Sequence, residues 1–233
     1  MIPSLAEQAY QLLRRDIIQC VLEPGLRVAQ AQLVDMYSLG ITPIREALKR
    51  LEQEGFVQSL PRFGYLISPV TVEDIDNIYE LRLILEKPAV RLAAQRASEQ
   101  QLTEIETQAQ FTYRYKDPQS YQEFLQTNVA FHTAIALISG NRRLAENISR
   151  LLDDMTRIFH LGLELRDSAE EMKNEHIALA SVLRYRNADQ AEQIVEDQIR
   201  RSQQRVLEML NQRSNIRTQT TLSKNTTSQG ALT

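Results

Sequence analysis

Apolar residues recur at helical spacing along most of the chain, and one short stretch breaks the rhythm. Leu5, Ala9, Leu12, Leu13 and Ile17 mark a first helix, stopped near Glu23-Pro24-Gly25. A second, short helix fits Gln30 to Tyr37, and Ser38-Leu39-Gly40 makes a tight connection out of it. Ile44, Ala47, Leu48 and Leu51 fall at i, i+3, i+4 and i+7 and define the apolar face of a third helix. Thr42 is placed to cap its start, with Pro43 at the first helical position, where a missing N–H costs nothing. Gly55 suits its stop. The period then changes. Phe56 and Val57 begin an extended stretch, Pro61-Arg62-Phe63-Gly64 makes a turn, and Tyr65, Leu66 and Ile67 return from it.

From Thr71 onward the helical period resumes and no strand pattern competes. Helices are predicted near 71–97, 99–115, 120–139, 142–164, 169–185 and 188–211. Thr71-x-x-Asp74, Ser98-x-x-Gln101, Ser120-x-x-Glu123, Ser168-x-x-Glu171 and Asn187-x-x-Gln190 read as capping boxes or variants of them, and Gly140-Asn141 breaks a further boundary. The segment from Gln212 has three cations, no acids and little apolar content, which predicts a mobile tail. The fold class is therefore mainly α. Residues 1–70 form a winged helix-turn-helix, 71–211 an all-α bundle of about six helices, and 212–233 a flexible tail.

Composition adds bounds. A chain of 233 residues, 42% hydrophobic, can pack two ordinary domains. No run approaches the roughly 20 apolar residues of a membrane span, and the N-terminus lacks a basic start with an apolar signal core. The single cysteine, Cys20, excludes an intramolecular disulfide and reads as a small packing residue. These features predict a soluble cytoplasmic protein. No nucleophile elbow, Gly-rich phosphate loop or HExxH is present, which argues against an enzyme.

Charge changes the picture more. Residues 1–70 hold seven Lys and Arg against seven Asp and Glu, so any DNA affinity must come from local placement and pairing of copies. Arg45 and Lys49 stand one turn apart, off the apolar face, just inside the third helix. Entering a major groove N-terminus first, such a helix presents Arg45 to base edges, and its dipole favours phosphates. Glu46 and Arg50 are spaced for a surface ion pair.

The helical region carries polar residues on inward faces. Asn128 and His132 are one turn apart, and His176 shares a face with Met172, Leu179 and Leu183. Gln198 lies on the stripe Ala191, Ile194, Val195, Gln198, Ser202. Buried polar groups must find partners, so these four are candidates for one effector site. Arg82 either clamps a ligand carboxylate or pairs with Glu86, four residues on. His160, Asp153 and Asp154 read as solvated or structural.

"EPGLRV", "TPIREALKRLEQEGFV" and "PRFGYLIS" resemble the winged-helix domain of GntR-type bacterial transcription regulators. "IYELRLILEKPAVRLAAQRA", "FHTAIALISGN" and "EHIALASVLRYRNADQAEQIVEDQI" resemble the FCD effector domain of that family's FadR-type branch. Together the resemblance covers about residues 5 to 205. It implies that Arg45 reads bases or phosphates, that Thr42 and Lys49 touch the backbone, and that the wing with Arg62 and Gly64 follows the minor groove. It further implies a homodimer on a roughly palindromic operator, with a small effector, typically a carboxylate, inside the helical domain. The family usually has Ser-Arg before the Thr, where this chain has Gly40 and Ile41. It often places a divalent metal on Asp, His, His and His, and this chain has Asn128, His132, His176 and Gln198. Amides are poor ligands for such ions, so the expectation is a metabolite-controlled repressor or activator without a resident metal. The alternatives are a metal at His132 and His176, or a helical protein-interaction adaptor.

Overall fold

The turns and caps divide the chain as the periodicity predicts, with instructive exceptions. The computed structural model describes residues 3–163 and 166–229. The chain divides after Thr71 into two units, the first also taking in Asp153–His160.

In the first unit, α1 (Leu5–Ile18) starts at Ser4, whose hydroxyl accepts from the Glu7 N–H at 3.1 Å. It ends before the predicted Glu23-Pro24-Gly25 stop, because Cys20 turns left-handed at φ 56°. After α2 (Gln30–Tyr37), Ser38 adopts φ 52° and reverses the chain. The third helix, α3 (Ile41–Gln53), begins two residues earlier than expected: Gly40 is its N-cap, and Thr42 lies inside the first turn. Pro43 permits this register because any first-turn N–H lacks an intrahelical partner. Ile44, Ala47, Leu48 and Leu51 are buried as the spacing requires and pack with Ala9, Leu13, Ile17 and Leu33. Arg50 does not pair with Glu46. It bonds Glu7 and Glu54 and lies over the Tyr10 ring at 3.5 Å, clasping α1 to α3.

The wing is a three-stranded antiparallel sheet in the order β1-β3-β2, built from β1 (Arg27–Val28), β2 (Val57–Leu60) and β3 (Gly64–Ile67). β3 is central, with Arg27 opposite Leu66 and Ser59 opposite Tyr65. Two residues carry no alternation to read, so β1 escapes sequence analysis. Within this unit Asp153 pairs with Arg14 at 3.7 Å, a structural role.

Six helices follow among the described residues, all in the second unit except for Asp153–His160 of the fourth, which belongs to the first. These are α4 (Val72–Arg96), α5 (Glu99–Gln108), α6 (Pro118–Ile138), α7 (Arg142–Gly162), α8 (Ala169–Arg184) and α9 (Ala188–Gln229). Ser98 and Gln101 form the expected capping box, and Asn187 caps Gln190 at 3.1 Å. Ser120 does not cap α6. Asp117 does, while the Ser120 hydroxyl accepts from the Arg114 N–H. Ser168 is the N-cap of α8 without a side-chain cap bond. α5 ends short of the predicted 115, because Phe111 and Tyr113 leave the helix to pack on rings elsewhere in the unit. The predicted end of α7 at 164 lies outside the described residues. α9 runs past the predicted boundary at 211 through the stretch expected to be a mobile tail; no Gly or Pro interrupts it before Gly230. The last four residues of that expected tail lie outside the described residues.

The helices α4 and α9 run antiparallel, as their rungs show. Asp76 meets Gln203, Tyr79 meets Ser202, Lys87 meets Glu196 and Arg91 meets Asp189. Arg205 on α9 forks onto Glu175 of α8 with two bonds of 2.8 and 2.9 Å.

Gly64 opens β3 at φ +88°, and a Cβ there would stand 2.4 Å from the Val28 carbonyl oxygen. Gly64→Ala should therefore destabilise the first unit by about 1–3 kcal/mol. Thermal unfolding of the full chain measures this; an unchanged melting curve would contradict the packing of β1 on β3.

A DNA-reading surface and a buried polar cluster

The outward face of α3 is Ile41, Thr42, Arg45, Glu46 and Lys49, all exposed. Gly40 supplies no side-chain cap and Pro43 has no N–H, so the Ile41 and Thr42 N–H groups are left for an outside acceptor. The Gln30 side chain donates to the Ile41 carbonyl at 3.1 Å, tying the first turn of α3 to α2. Among the described residues, the Arg45, Lys49 and Arg62 side chains are exposed and enter no hydrogen bond or ion pair. Arg62 sits at the wing turn at φ 69°, next to Gly64. The five residues predicted to meet DNA thus lie at the start of one helix face and at the wing tip. Net neutrality of this region is no obstacle to this local arrangement, because Arg50 is occupied with Glu7 and Glu54 and leaves Arg45 and Lys49 as the free cations of the α3 face.

The second unit buries a polar chain. Arg82, Glu86, Asn128, His132, His176, Gln198 and Ser202 are each at most 5% exposed. The Arg82 Nε–H donates to Glu86 Oε1 at 2.6 Å, and His132 Nδ1 lies 3.2 Å from Glu86 Oε2. The His132 and His176 rings meet edge to face with centroids 5.4 Å apart. Phe111 stacks on His176 at 4.5 Å, and Phe131 borders both imidazoles. The Arg82 guanidinium is 5.4 Å from the Tyr79 ring centroid, and the Tyr79 hydroxyl bonds Ser202 at 2.7 Å. Gln198 is one turn from Ser202 on α9, between the Tyr79–Ser202 and Lys87–Glu196 rungs, and so stands level with Arg82 and Glu86. Asn128 is one turn from His132 on α6.

Burial works against the charge on Glu86, but Arg82 and His132 outweigh it and hold the carboxyl at about 2. Burial, reinforced by His132 and Arg82, pushes the His176 imidazole well below its ordinary range, which keeps it neutral. Among the described residues, His176 Nδ1 and Gln198 Oε1 are buried and have no hydrogen-bond partner. His160 is half-buried, and burial lowers its basicity; nothing links it to the cluster.

Of the two readings of Arg82, the structure shows the pair with Glu86. Glu86 restores a carboxylate to the cluster even though position 128 is an amide, and its spacing from Arg82 was the available signal. Phe111 was missed, since a helix was expected to run through it.

The donor set does not fit the divalent metal that the resemblance implies. Among the described residues no group of three or more His, Cys, Asp and Glu is placed to hold one. Both Glu86 oxygens are already engaged, by Arg82 and His132. The two imidazoles are left with neutral amides, which bind such ions weakly.

A winged helix-turn-helix with exposed, unpaired cations on its third helix among the described residues, followed by an all-helical unit with a polar core, fits a DNA-binding transcription regulator with an effector domain. Residues 5–67 match the bacterial regulatory proteins of the gntR family, and residues 77–201 match the FCD domain, a ligand-binding effector domain. The HTH-type transcriptional regulator YdhC of Bacillus subtilis is 30% identical over 190 residues, 81% of this chain and 84% of that protein. The HTH-type transcriptional repressor RspR of Escherichia coli is 23% identical over 186 residues, 80% and 82% of the two chains. Escherichia coli McbR/YncC has the same fold, with a TM-score of 0.68 at 24% identity over 91% of this chain and 99% of that one. The chain belongs to the GntR family and carries an FCD domain. No helix of the described residues is long and apolar enough to cross a membrane.

Glu86→Gln keeps the shape and removes the anion beside buried Arg82. It should cost about 3–5 kcal/mol of stability, the usual effect of leaving a buried charge unpaired. The pH dependence has a definite sign. The folded value is depressed, so the stabilisation is present above the ordinary 4.5 and is lost as pH falls from there toward 2. Melting temperatures across that window should drop more steeply for the native chain than for the variant. Parallel curves would show that Glu86 does not carry this charge.

Proposed function

We propose that this regulator binds a roughly palindromic operator as a homodimer and that a small metabolite in the FCD domain changes its operator affinity in the cytoplasm. The observation that carries the effector reading is a pair of buried polar atoms without partners among the described residues, His176 Nδ1 and the acceptor Gln198 Oε1. A ligand with an N–H or O–H donor for Gln198 Oε1, and a hydroxyl or other group to donate to or accept from the neutral His176 Nδ1, would satisfy both, and an unmet buried polar atom costs about 1–3 kcal/mol. A simple carboxylate, the class the resemblance implies, has a weaker case, because Glu86 already neutralises Arg82. We therefore favour a hydroxylated or amino-bearing small acid, contacting His132, His176, Gln198 and Asn128, with Arg82 acting through Glu86. No resident metal is part of this reading.

The homodimer is supported by α4, where Leu81 and Ile84 are 43% and 60% exposed at adjacent turns of one face. It is also supported by the neutral reading unit, which gains affinity by presenting two copies to one duplex. Arg45 and Thr42 would meet base edges and backbone, Lys49 and the main chain phosphates, and Arg62 with Gly64 the minor groove.

Matched acids test the effector. Hydroxy and deoxy pairs such as lactate and propionate, in a thermal-shift screen, should separate, with only the hydroxylated member raising the melting temperature. Stabilisation scales as RT ln(1 + [L]/Kd), about 2.7 kcal/mol at a hundredfold excess over Kd. Equal shifts for both members would remove the donor argument.

For DNA, Arg45→Ala should lose about 1–3 kcal/mol of affinity for a duplex selected by the native chain and relax one base position in each half-site. Lys49→Ala should weaken all duplexes alike and flatten the salt dependence. Gel shifts at several salt concentrations measure both. Undiminished binding by Arg45→Ala would mean that α3 is not the reading helix.

A further inference from the structure

Ile41 occupies the first position of α3 and is 61% exposed. A single exposed aliphatic side chain is ordinary on a protein surface. Its location is what gives this one meaning. In a helix-turn-helix, the N-terminal residues of the second helix meet the base edges. Ile41 stands there one turn before Arg45 on the outward face, where Thr42, Glu46 and Lys49 are also exposed. The bond from Gln30 to its carbonyl holds the turn in place while leaving the side chain uncovered.

An isoleucine offers neither donor nor acceptor, so it cannot read the hydrogen-bonding pattern of the groove. The major-groove floor has one aliphatic feature, the thymine 5-methyl group. An arginine at the same position would favour guanine O6 and N7 instead. The wing adds a second exposed apolar group, since Phe63 at its tip is 72% exposed beside Arg62. With seven cations balanced by seven acids in residues 1–70, apolar contact has more to contribute here than in a basic reading domain.

We propose that Ile41 is a specificity-determining residue that packs on a thymine methyl group in each half-site. The proposal rests on α3 being the reading helix. Its test uses the full chain and a duplex that the chain itself enriches from a random library. Each thymine of that duplex is replaced in turn by deoxyuridine, which keeps base pairing and removes only the methyl group.

One thymine in each half-site should prove sensitive, with a loss of about fourfold per methyl, the effect of exposing one buried carbon. Ile41→Ala should bind the parent duplex more weakly and lose that sensitivity. Selection with Ile41→Arg should enrich guanine where the native chain enriches thymine, and should steepen the salt dependence. The inference is overturned if no deoxyuridine replacement weakens the native chain, or if Ile41→Ala keeps the same sensitive position. Arg45→Ala on the parent duplex separates the two levels. If it abolishes binding while deoxyuridine changes nothing, only the role of Ile41 fails. If it binds undiminished, or if the native chain enriches no duplex, the reading of α3 fails and takes the Ile41 proposal with it.

Discussion

A guanidinium in an apolar helical core must have an anion beside it, and in this protein Glu86 is that anion for Arg82. The pair lies one turn apart on α4, so folding of a single helix brings it together before any tertiary packing. The polar cluster described above is then arranged around it. Glu86 spends its second oxygen on His132, which presents an edge to His176, which in turn stacks on Phe111. Arg82 reaches the other way, toward Tyr79 and its bond to Ser202 on α9. One ion pair thus connects α4 to α6, α8 and α9. Desolvation makes such pairs poor sources of net stability. The pair is complete within α4, so what ties it to the other helices is the His132 contact with Glu86 and the Tyr79–Ser202 bond beside Arg82.

The same chain of contacts explains why a ligand could act on this domain at all. His176 and Gln198 contribute two of the buried polar atoms without partners among the described residues, on α8 and α9, while the charged members sit on α4. A molecule bonding those atoms would therefore touch the ends of a network whose middle is already satisfied. It adds bonds without having to break Arg82 from Glu86.

Periodicity and turn chemistry made most of the helices legible. Ile44, Ala47, Leu48 and Leu51 were readable as a buried face because i, i+3, i+4 and i+7 leave little choice in a helix that must cover a core. What was not legible depended on partners remote in sequence. Phe111 ends α5 because His176 and Phe124 offer it ring contacts that a continuing helix would forgo. Ser120 matches a capping pattern, yet Asp117 is the better-placed acceptor, and Pro118 after it suits the first turn. β1 is stabilised by pairing with β3, not by its own two residues. In the polar cluster, the inward faces of His132 and His176 were readable from apolar neighbours. The role of Glu86 was not, because i, i+4 spacing to an arginine is equally common on exposed helix faces.

The two surfaces impose different demands on the energetics. Residues 1–70 are electrically neutral overall, and on the α3 face and the wing turn only Arg45, Lys49 and Arg62 are exposed without an ion pair among the described residues, so a single copy gains little from counterion release. In the proposed dimer, affinity comes from a few close contacts made twice, which makes it sensitive to the spacing of the two copies. A ligand need supply only a modest difference to exploit that sensitivity. Effector coupling of 1–3 kcal/mol changes affinity by about 5–150-fold, and no ligand can shift the equilibrium by more than its own preference for one state. Two buried polar atoms, each costing about 1–3 kcal/mol while unmet, are enough to supply that difference. They can do so only if the ligand meets them in one packing of the helices and not in the other. That condition places the origin of any response in the alignment of α8 and α9, where those atoms lie, and in the contacts of His132 and Tyr79 beside the Arg82–Glu86 pair, which tie α4 to its neighbours.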